Sequence, residues 1–266
     1  MSKARLMMMV VLATAAMVTV AGGVLAPETA FAAKKKKAPK LSADVHAPLV
    51  AAQDAMGAQD WDTAYASIVE ADAVASKTDY DQFMINELGW FIYVQKEQYD
   101  KAGAALEAVI QSGYVAEEDL PARYKPLAQI SGQGEDYPKC IEYGDKYLAT
   151  NPTDSGVALL VAQCYNLAED YAGTRQAVQT MINNGAEPTE DLLMQALIAS
   201  NELNDQPGID QSLYHLVRLY PQQKYWEDLL NTELYKENSD RELRALYRLM
   251  EDTDTHDKGD EFSEMG

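Results

Sequence analysis

Apolar residues recur at helical spacing in pairs of short segments along most of the chain. Two such pairs fill residues 120–185, and in each segment apolar side chains return every three or four residues, as on one face of an α-helix. Asp136-Tyr137 opens the second segment of one pair, and Asp170-Tyr171 opens the corresponding segment 34 residues later. A period of this length, built from paired amphipathic segments, predicts a helical repeat protein.

The same spacing predicts four further helical pairs. A hairpin of two short helices cannot bury its own apolar stripe, so each must stack on the next. We therefore predict six hairpins, with twelve helices, in a repeat domain over residues 45–250. The additional helices are predicted at residues 48–57, 61–75, 83–95, 99–111, 191–204, 209–220, 225–235 and 240–250.

The pattern resembles the tetratricopeptide repeat (TPR) family, whose signature combines an aromatic residue, Leu-Gly, Tyr, Ala and a closing Pro. The fourth hairpin keeps Tyr165 but has Thr174 where the family has Ala. The resemblance implies an all-α fold, a right-handed α-α superhelix, with related helical repeat families as the alternative. Its matches are Leu88, Gly89, Trp90, Tyr93 and Ala102 in the second hairpin, and Tyr124, Leu127 and Pro152 in the third.

In TPR-like proteins the first helix of each hairpin lines a concave groove. Gln and Asn side chains offer donors and acceptors to an extended peptide backbone. The resemblance therefore implies a non-enzymatic adaptor that binds a peptide or protein, typical of cell-envelope assembly or transport in exported members. The alternative is that these are ordinary polar surface residues. The positions implied to face the groove are Phe91, Gln129, Gln163, Asn166, Met194, Asn201 and Asn231.

Composition narrows the class of partner. The chain has 266 residues, 47% of them hydrophobic, and a formal net charge of −20. Enough apolar residues are present to form a core, so the chain is predicted to fold. The negative charge repels phosphate backbones, which disfavours nucleic acid and favours a basic protein or peptide.

The amino-terminal residues predict export. Lys3 and Arg5 precede an apolar run, and Ala30-Phe31-Ala32 supplies small residues for cleavage, so residues 1–32 read as a signal peptide. The mature protein would then be periplasmic or secreted. The alternative is an uncleaved amino-terminal membrane anchor with a periplasmic domain, since residues 6–26 are long enough to span a bilayer.

Two charged segments flank the predicted repeats. Residues 33–44 read as a basic flexible leader, in which Lys34, Lys35, Lys36 and Lys37 are suited to weak contact with anionic lipid head groups. Residues 251–266 read as an acidic tail, because their carboxylates do not match the spacing of a calcium-binding loop.

No pattern for catalysis, metal or cofactor binding is found in the sequence. His46, His215 and His256 fall in different segments without ligand-spaced partners, so we predict no enzyme activity, no metal site and no cofactor. A second hypothesis is a periplasmic carrier of an apolar small molecule or lipid. Met56, Phe91, Met194 and Ile198 are its candidate lining residues.

The chain contains two cysteines, Cys140 and Cys164, each twelve residues from Pro152. They belong to helices that are predicted to run antiparallel, so the two residues should lie at the same level. Exported proteins retain disulfides, and two cysteines allow one bridge. Sequence does not show whether the two Cβ atoms face each other. The sequence therefore leaves two alternatives, a disulfide bridge or two separately buried thiols.

Overall fold

The computed structural model describes residues 39–234 and 240–252. The predicted signal peptide, Lys34 to Lys37, and residues 253–266 of the predicted acidic tail lie outside these ranges. Within them, no helix is both long enough and apolar enough to cross a lipid bilayer.

The described residues form twelve α-helices, one short 3-10 helix (Glu117–Asp119) and no strand, which confirms the all-α helical repeat fold. Consecutive helices pack as six hairpins, α1 with α2 through α11 with α12. The helices are α1 (Ala43–Gly57), α2 (Trp61–Ala73), α3 (Asp79–Gln95), α4 (Tyr99–Gln111), α5 (Leu120–Gln133), α6 (Tyr137–Leu148), α7 (Ser155–Leu167), α8 (Tyr171–Asn183), α9 (Glu190–Glu202), α10 (Gln206–Leu219), α11 (Gln223–Leu234) and α12 (Asp240–Asp252).

The chain divides after Tyr114 into two compact units. The first contains α1–α4 and the second contains α5–α12. The core of the first unit includes Val45, Ile68 and Ile92, each fully buried. In the second unit, one core cluster joins α9–α12 and another joins α7–α9. Each cluster draws on more than one hairpin, as expected when hairpins bury one another's apolar stripes.

Helices α1 and α3 begin four or five residues earlier than the apolar spacing predicts, the largest differences among the helix starts. Helix α1 begins at Ala43 and contains Pro48 in its interior, so the last two residues of the predicted leader are helical. Helix α3 begins at Asp79 because Thr78 and Asp81 form a reciprocal capping box that satisfies free N–H groups. The predicted starts, at Pro48 and Phe83, omit the first turn of α1, which contains the buried Val45, and the polar first turn of α3.

The turn within each of the first five hairpins has the same backbone geometry. One residue adopts a positive φ between 52° and 63°, and the N–H group of the next residue donates to the carbonyl five positions earlier at 2.8–2.9 Å. This left-handed helix end usually carries Gly. Here none of the five residues is Gly: they are Gln59, Glu97, Glu135, Glu169 and Asn204.

The Asp-Tyr repeat seen in the sequence starts two second helices, α6 and α8, and Asp60 followed by Trp61 starts α2 in the same way. The carboxylates of Asp60, Asp136 and Asp170 each accept a hydrogen bond from the backbone N–H three residues later. A side-chain acceptor at this position satisfies an N–H that has no partner within the helix. The repeated Asp therefore marks where a second helix begins.

Cys140 of α6 and Cys164 of α7 form a disulfide with an S–S distance of 2.01 Å and a Cα–Cα distance of 6.4 Å. Both residues are fully buried. Of the two alternatives that the sequence leaves open, the structure contains the bridge, which ties the third hairpin to the fourth.

First and second helices pack differently in the second unit. The first helices α5, α7 and α9 contact one another in succession. Clefts separate the second helices, one between α6 and α8 and another between α8 and α10. The first helices therefore form a continuous side of this unit, whereas the opposite side is furrowed.

Candidate binding surface

The solvent-facing side of α5, α7, α9 and α11 is called the first-helix face. Counting back from the left-handed turn residue gives equivalent positions in each hairpin. Six residues before it stand Gln129, Gln163 and Ile198. Ten residues before it stand Lys125, Leu159 and Met194. Amides and apolar side chains thus occupy corresponding places on adjoining helices.

Gln163 has an unsatisfied hydrogen-bonding atom. The residue is half-buried on α7, and its side-chain oxygen is buried without a hydrogen-bond donor from any described residue. A buried acceptor without a donor costs about 1–3 kcal/mol. A ligand N–H group would recover that cost if the half-buried side chain turned outward and brought the oxygen to the surface.

Ile198 provides the apolar counterpart one hairpin further along. Its side chain is 36% exposed on α9, although large aliphatic side chains are usually covered. Met194, one turn earlier, packs against the core cluster of α9–α12 and is partly buried. The exposed apolar surface at this point therefore comes mainly from Ile198.

Asn166 has a structural role inside the chain. Its amide nitrogen donates to the side-chain oxygen of Gln195 at 2.8 Å and to the Gln195 carbonyl at 3.2 Å. The hydroxyl of Thr174 donates to the Asn166 oxygen at 2.8 Å. These bonds join α7, α8 and α9, so the Asn166 amide is occupied by its neighbours. They also explain Thr174, which stands where the resembling family has Ala.

Asn201 and Asn231 are both exposed on the first-helix face. The Asn201 amide donates to the carbonyl of Leu197 at 3.0 Å, a bond within its own helix. Asn231 lies on α11 and extends the row of polar residues onto that helix.

Lys125 is held by the start of the next first helix. Its ammonium group contacts the Asp154 carboxylate at 2.7 Å and lies 5.4 Å from the centre of the Tyr147 ring. Partial burial raises the pKa of Asp154, but hydrogen bonds from Lys125, the Val157 N–H and Tyr147 outweigh it, so the pKa is lowered overall. The hydrogen bond to Asp154 raises the pKa of Lys125. Both groups therefore remain charged at neutral pH.

Acidic side chains follow at the other end of the face. Asp191 of α9, and Glu227 and Asp228 of α11, are exposed. Burial and the neighbouring Glu227 raise the pKa of Asp228. Lys224 lies in the same region but is paired with Glu190 at 3.6 Å. The α9–α11 end of the face is thus predominantly negative.

Phe91 lies in the first unit, on α3, six residues before the left-handed Glu97. Its ring packs edge-on against Trp61 at 5.8 Å and against Trp90 at 5.7 Å between ring centres. All three rings are half-buried. Phe91 therefore belongs to a local aromatic cluster of the first unit.

The residues considered for chemistry are dispersed. His46 is exposed in the first unit, and His215 is half-buried in the second, where burial lowers its pKa. His256 lies outside the described ranges. Among the described residues, no group of three His, Cys, Asp or Glu side chains is placed to hold a metal ion.

Two clefts of the second unit were not predicted. The cleft between α6 and α8 has a volume of about 500 Å³, and that between α8 and α10 about 300 Å³. Neither is lined by Met56, Phe91, Met194 or Ile198, the residues considered for an apolar carrier. Their positions depend on the separation of second helices, which the apolar spacing does not predict.

No protein-family model and no curated protein matches the chain. Solved structures with some likeness include a tetratricopeptide repeat protein from Parabacteroides merdae, with 12% identity, 80% of this chain and 78% of that chain covered, and a TM-score of 0.46. MamA from Desulfovibrio magneticus has 10% sequence identity. The match covers 75% of this chain and 100% of the MamA chain, with a TM-score of 0.46. The carboxy-terminal part of a TPR repeat-containing protein from Cytophaga hutchinsonii has 15% sequence identity. The match covers 80% of this chain and 85% of that chain, with a TM-score of 0.45. The assignment of the fold rests on the hairpins themselves.

Proposed function

We propose that this protein is a non-enzymatic scaffold whose first-helix face binds an extended peptide segment of a protein partner. The observation that carries the proposal is the buried side-chain oxygen of Gln163, which accepts no hydrogen bond from the described residues. On binding, the half-buried Gln163 side chain turns outward and its oxygen accepts a hydrogen bond from a peptide N–H group, while an adjoining apolar side chain of the peptide covers Ile198.

The charge of the face suggests how the peptide is oriented. Asp191, Glu227 and Asp228 favour basic residues in the part of the peptide that lies over α9 and α11. Lys125, already paired with Asp154, makes the α5 end less negative. The partner segment is therefore one with a basic residue at one end of a short apolar stretch.

We further propose that the protein is exported to the periplasm and takes part in cell-envelope assembly or transport. The charged start and apolar run of residues 1–32 support export. The buried disulfide between Cys140 and Cys164 supports it independently, since such bridges persist in oxidising compartments.

A photo-crosslinking amino acid at position 198 tests the binding face in intact cells. Ile198 is exposed on this face, and Val69, which is 47% exposed on α2, provides the matched control position. We expect discrete crosslinked proteins from position 198 and not from position 69. The same products from both positions, or none from position 198, would contradict the proposal.

The captured partner then allows the role of Gln163 to be measured. We expect Gln163→Ala to weaken binding of its peptide about tenfold, the loss of one hydrogen bond to a buried acceptor. Gln111→Ala, an exposed amide at the end of α4, is the control and should bind normally. Equal affinity of both variants would remove Gln163 from the binding site.

A further inference from the structure

The cleft between α6 and α8 has an apolar base and a lining of both apolar and polar side chains. It has a volume of about 500 Å³, within the range of small-molecule sites. Ala158 and Met181 are buried and form its base. Met is well suited to such a wall because its flexible thioether adapts to irregular ligands. The remaining apolar lining residues are Leu148, Ala149, Pro152 and Ala177.

One end of this cleft carries a carboxylate that has no ion-pair partner among the described residues. Asp145 of α6 accepts a hydrogen bond from the Tyr165 hydroxyl at 3.1 Å and forms no ion pair with a described Lys or Arg. Its side chain remains accessible at the rim, while the surrounding walls raise its pKa through partial burial. Lys146, the next residue, is engaged elsewhere: it contacts Glu142 at 2.6 Å and lies over the Tyr143 ring.

Tyr165 is fixed beside Asp145 by the absence of a side chain at position 173. A Cβ atom added to Gly173 would lie 2.4 Å from the Tyr165 ring, too close for any other residue. Burial, together with the negative charges of Asp145 and Asp170, raises the pKa of Tyr165 to about 12. The hydroxyl therefore stays protonated and keeps donating to Asp145.

The fourth hairpin contributes almost no positive charge to balance the carboxylates of Asp145 and Asp170. Helix α7 contains no charged residue, and α8 contains only Arg175, which pairs with Asp205. Asp205 and Arg175 do not line this cleft. The Asp145 end is thus locally negative. The rest of the lining is uncharged, with apolar Ala158, Ala177 and Met181 and polar Gln176, Thr180 and Asn184.

We propose that the cleft between α6 and α8 binds a primary ammonium group carried on an aliphatic chain. The ammonium group contacts the Asp145 carboxylate at the rim, and the chain lies over Ala177 and Met181. Along α8 the cleft extends from Gly173 to Asn184, about 16 Å at 1.5 Å per residue, which accommodates a six-carbon chain. This site is separate from the first-helix face and does not depend on the proposed peptide binding.

Two sources share this chemistry, a free alkylamine and a lysine side chain of another protein. Isothermal titration of the full mature chain with hexylamine, and with hexanol as the uncharged counterpart, measures the contribution of the ammonium group. A capped Leu-Lys-Leu tripeptide and its Nε-acetylated form measure the contribution of a lysine side chain. Binding of hexylamine alone identifies a free amine as the ligand, and binding of the unacetylated tripeptide identifies lysine.

Asp145→Asn tests the contact directly, since the amide keeps the shape and an acceptor for Tyr165 but removes the charge. We expect hexylamine affinity to fall about fivefold, as for an accessible ion pair. The matched control is Glu142→Gln, which removes the same charge from the same helix outside the cleft. It should leave hexylamine affinity unchanged.

Ala177→Leu provides a second, independent variant because it fills the cleft without altering charge. We expect it to abolish hexylamine binding while Asp145 is still present. The proposal is overturned if hexylamine binds no better than hexanol and the tripeptide no better than its acetylated form, or if Asp145→Asn and Glu142→Gln bind hexylamine equally.

Discussion

The sulfur atoms of Cys140 and Cys164 join the second helix of the third hairpin to the first helix of the fourth. The two residues are separated by 24 positions, and both are fully buried. A crosslink stabilises a fold mainly by restricting the unfolded chain, in proportion to the logarithm of the loop that it closes. This bridge therefore contributes to stability in addition to the packing of the hairpins.

Removing the disulfide should lower the free energy of unfolding. For a loop of this length we expect the Cys140→Ala, Cys164→Ala double variant to lose about 3 kcal/mol, measured by urea denaturation. Reductant should destabilise the natural protein and leave the double variant unchanged. If reductant does not shift the natural protein's transition, the bridge does not stabilise the fold.

Replacing a left-handed turn residue with Gly should increase stability. Glu135 has a φ of 63°, a region that costs an L-residue about 1–2 kcal/mol, whereas Gly enters it freely. After the greater entropy of Gly in the unfolded chain is subtracted, we expect Glu135→Gly to gain roughly 0.5 kcal/mol or more in urea denaturation.

The control for that prediction places the same substitution inside a helix. Glu142→Gly in α6 introduces the flexibility of Gly without relieving a strained turn, and should cost about 1 kcal/mol. Destabilisation by both substitutions would show that the turn at Glu135 is not strained.

Thr174 should be essential to the packing of the fourth and fifth hairpins. It is fully buried, and its hydroxyl donates to Asn166, which in turn donates to Gln195. Thr174→Ala restores the residue typical of the resembling family, yet leaves the Asn166 oxygen without this donor. We expect a loss of about 1–3 kcal/mol in thermal or urea unfolding. Thr180→Ala, an exposed Thr on the same helix, should change stability little.

Stability in acid should depend on Asp81. Burial raises the pKa of this carboxyl, but hydrogen bonds from Ser42 and Thr78 outweigh it and lower the pKa from 3.8 to about 2. Because the folded pKa is the lower one, the stabilisation is fully present above about pH 4. It is lost as the pH falls from about 4 to about 2.

The measurement is urea denaturation of the natural protein and Asp81→Asn between pH 7 and pH 2. The variant should be less stable at pH 7, and the difference should shrink as the pH approaches 2. Asp79→Asn, in the first turn of the same helix, serves as the control. A difference that stays constant across this range would rule out ionised Asp81 as the source of the stabilisation.

The positions of the helices were predictable because apolar spacing directly reflects which face is buried. The start of α3 was less predictable, since a polar first turn such as Thr78 to Asp81 lacks that spacing. The start of α1 was missed because Pro48, which usually opens a helix, lies in its interior. The register predicted for the first helices gives Gln163 and Ile198 equivalent positions in successive hairpins. Yet the same register could not distinguish Gln163, whose oxygen is unsatisfied, from Asn166, whose amide is occupied by Gln195 and Thr174.

The cleft beside Asp145 lay beyond sequence reasoning for a different reason. Asp145 and Tyr165 are 20 positions apart, and Ala177 and Met181 come from yet another helix. Only the separation between α6 and α8 brings these residues around one space. Gly173 was the one available sign, because its missing side chain admits the Tyr165 ring, but a lone Gly within a helical pattern has many explanations.

Five turns share one backbone path although Gln, Glu and Asn all occupy its left-handed position. The geometry of the turn is therefore set by the main chain and not by one particular residue type. Whole hairpins can be deleted or inserted by joining the chain at two of these turns, because the same turn conformation serves at each.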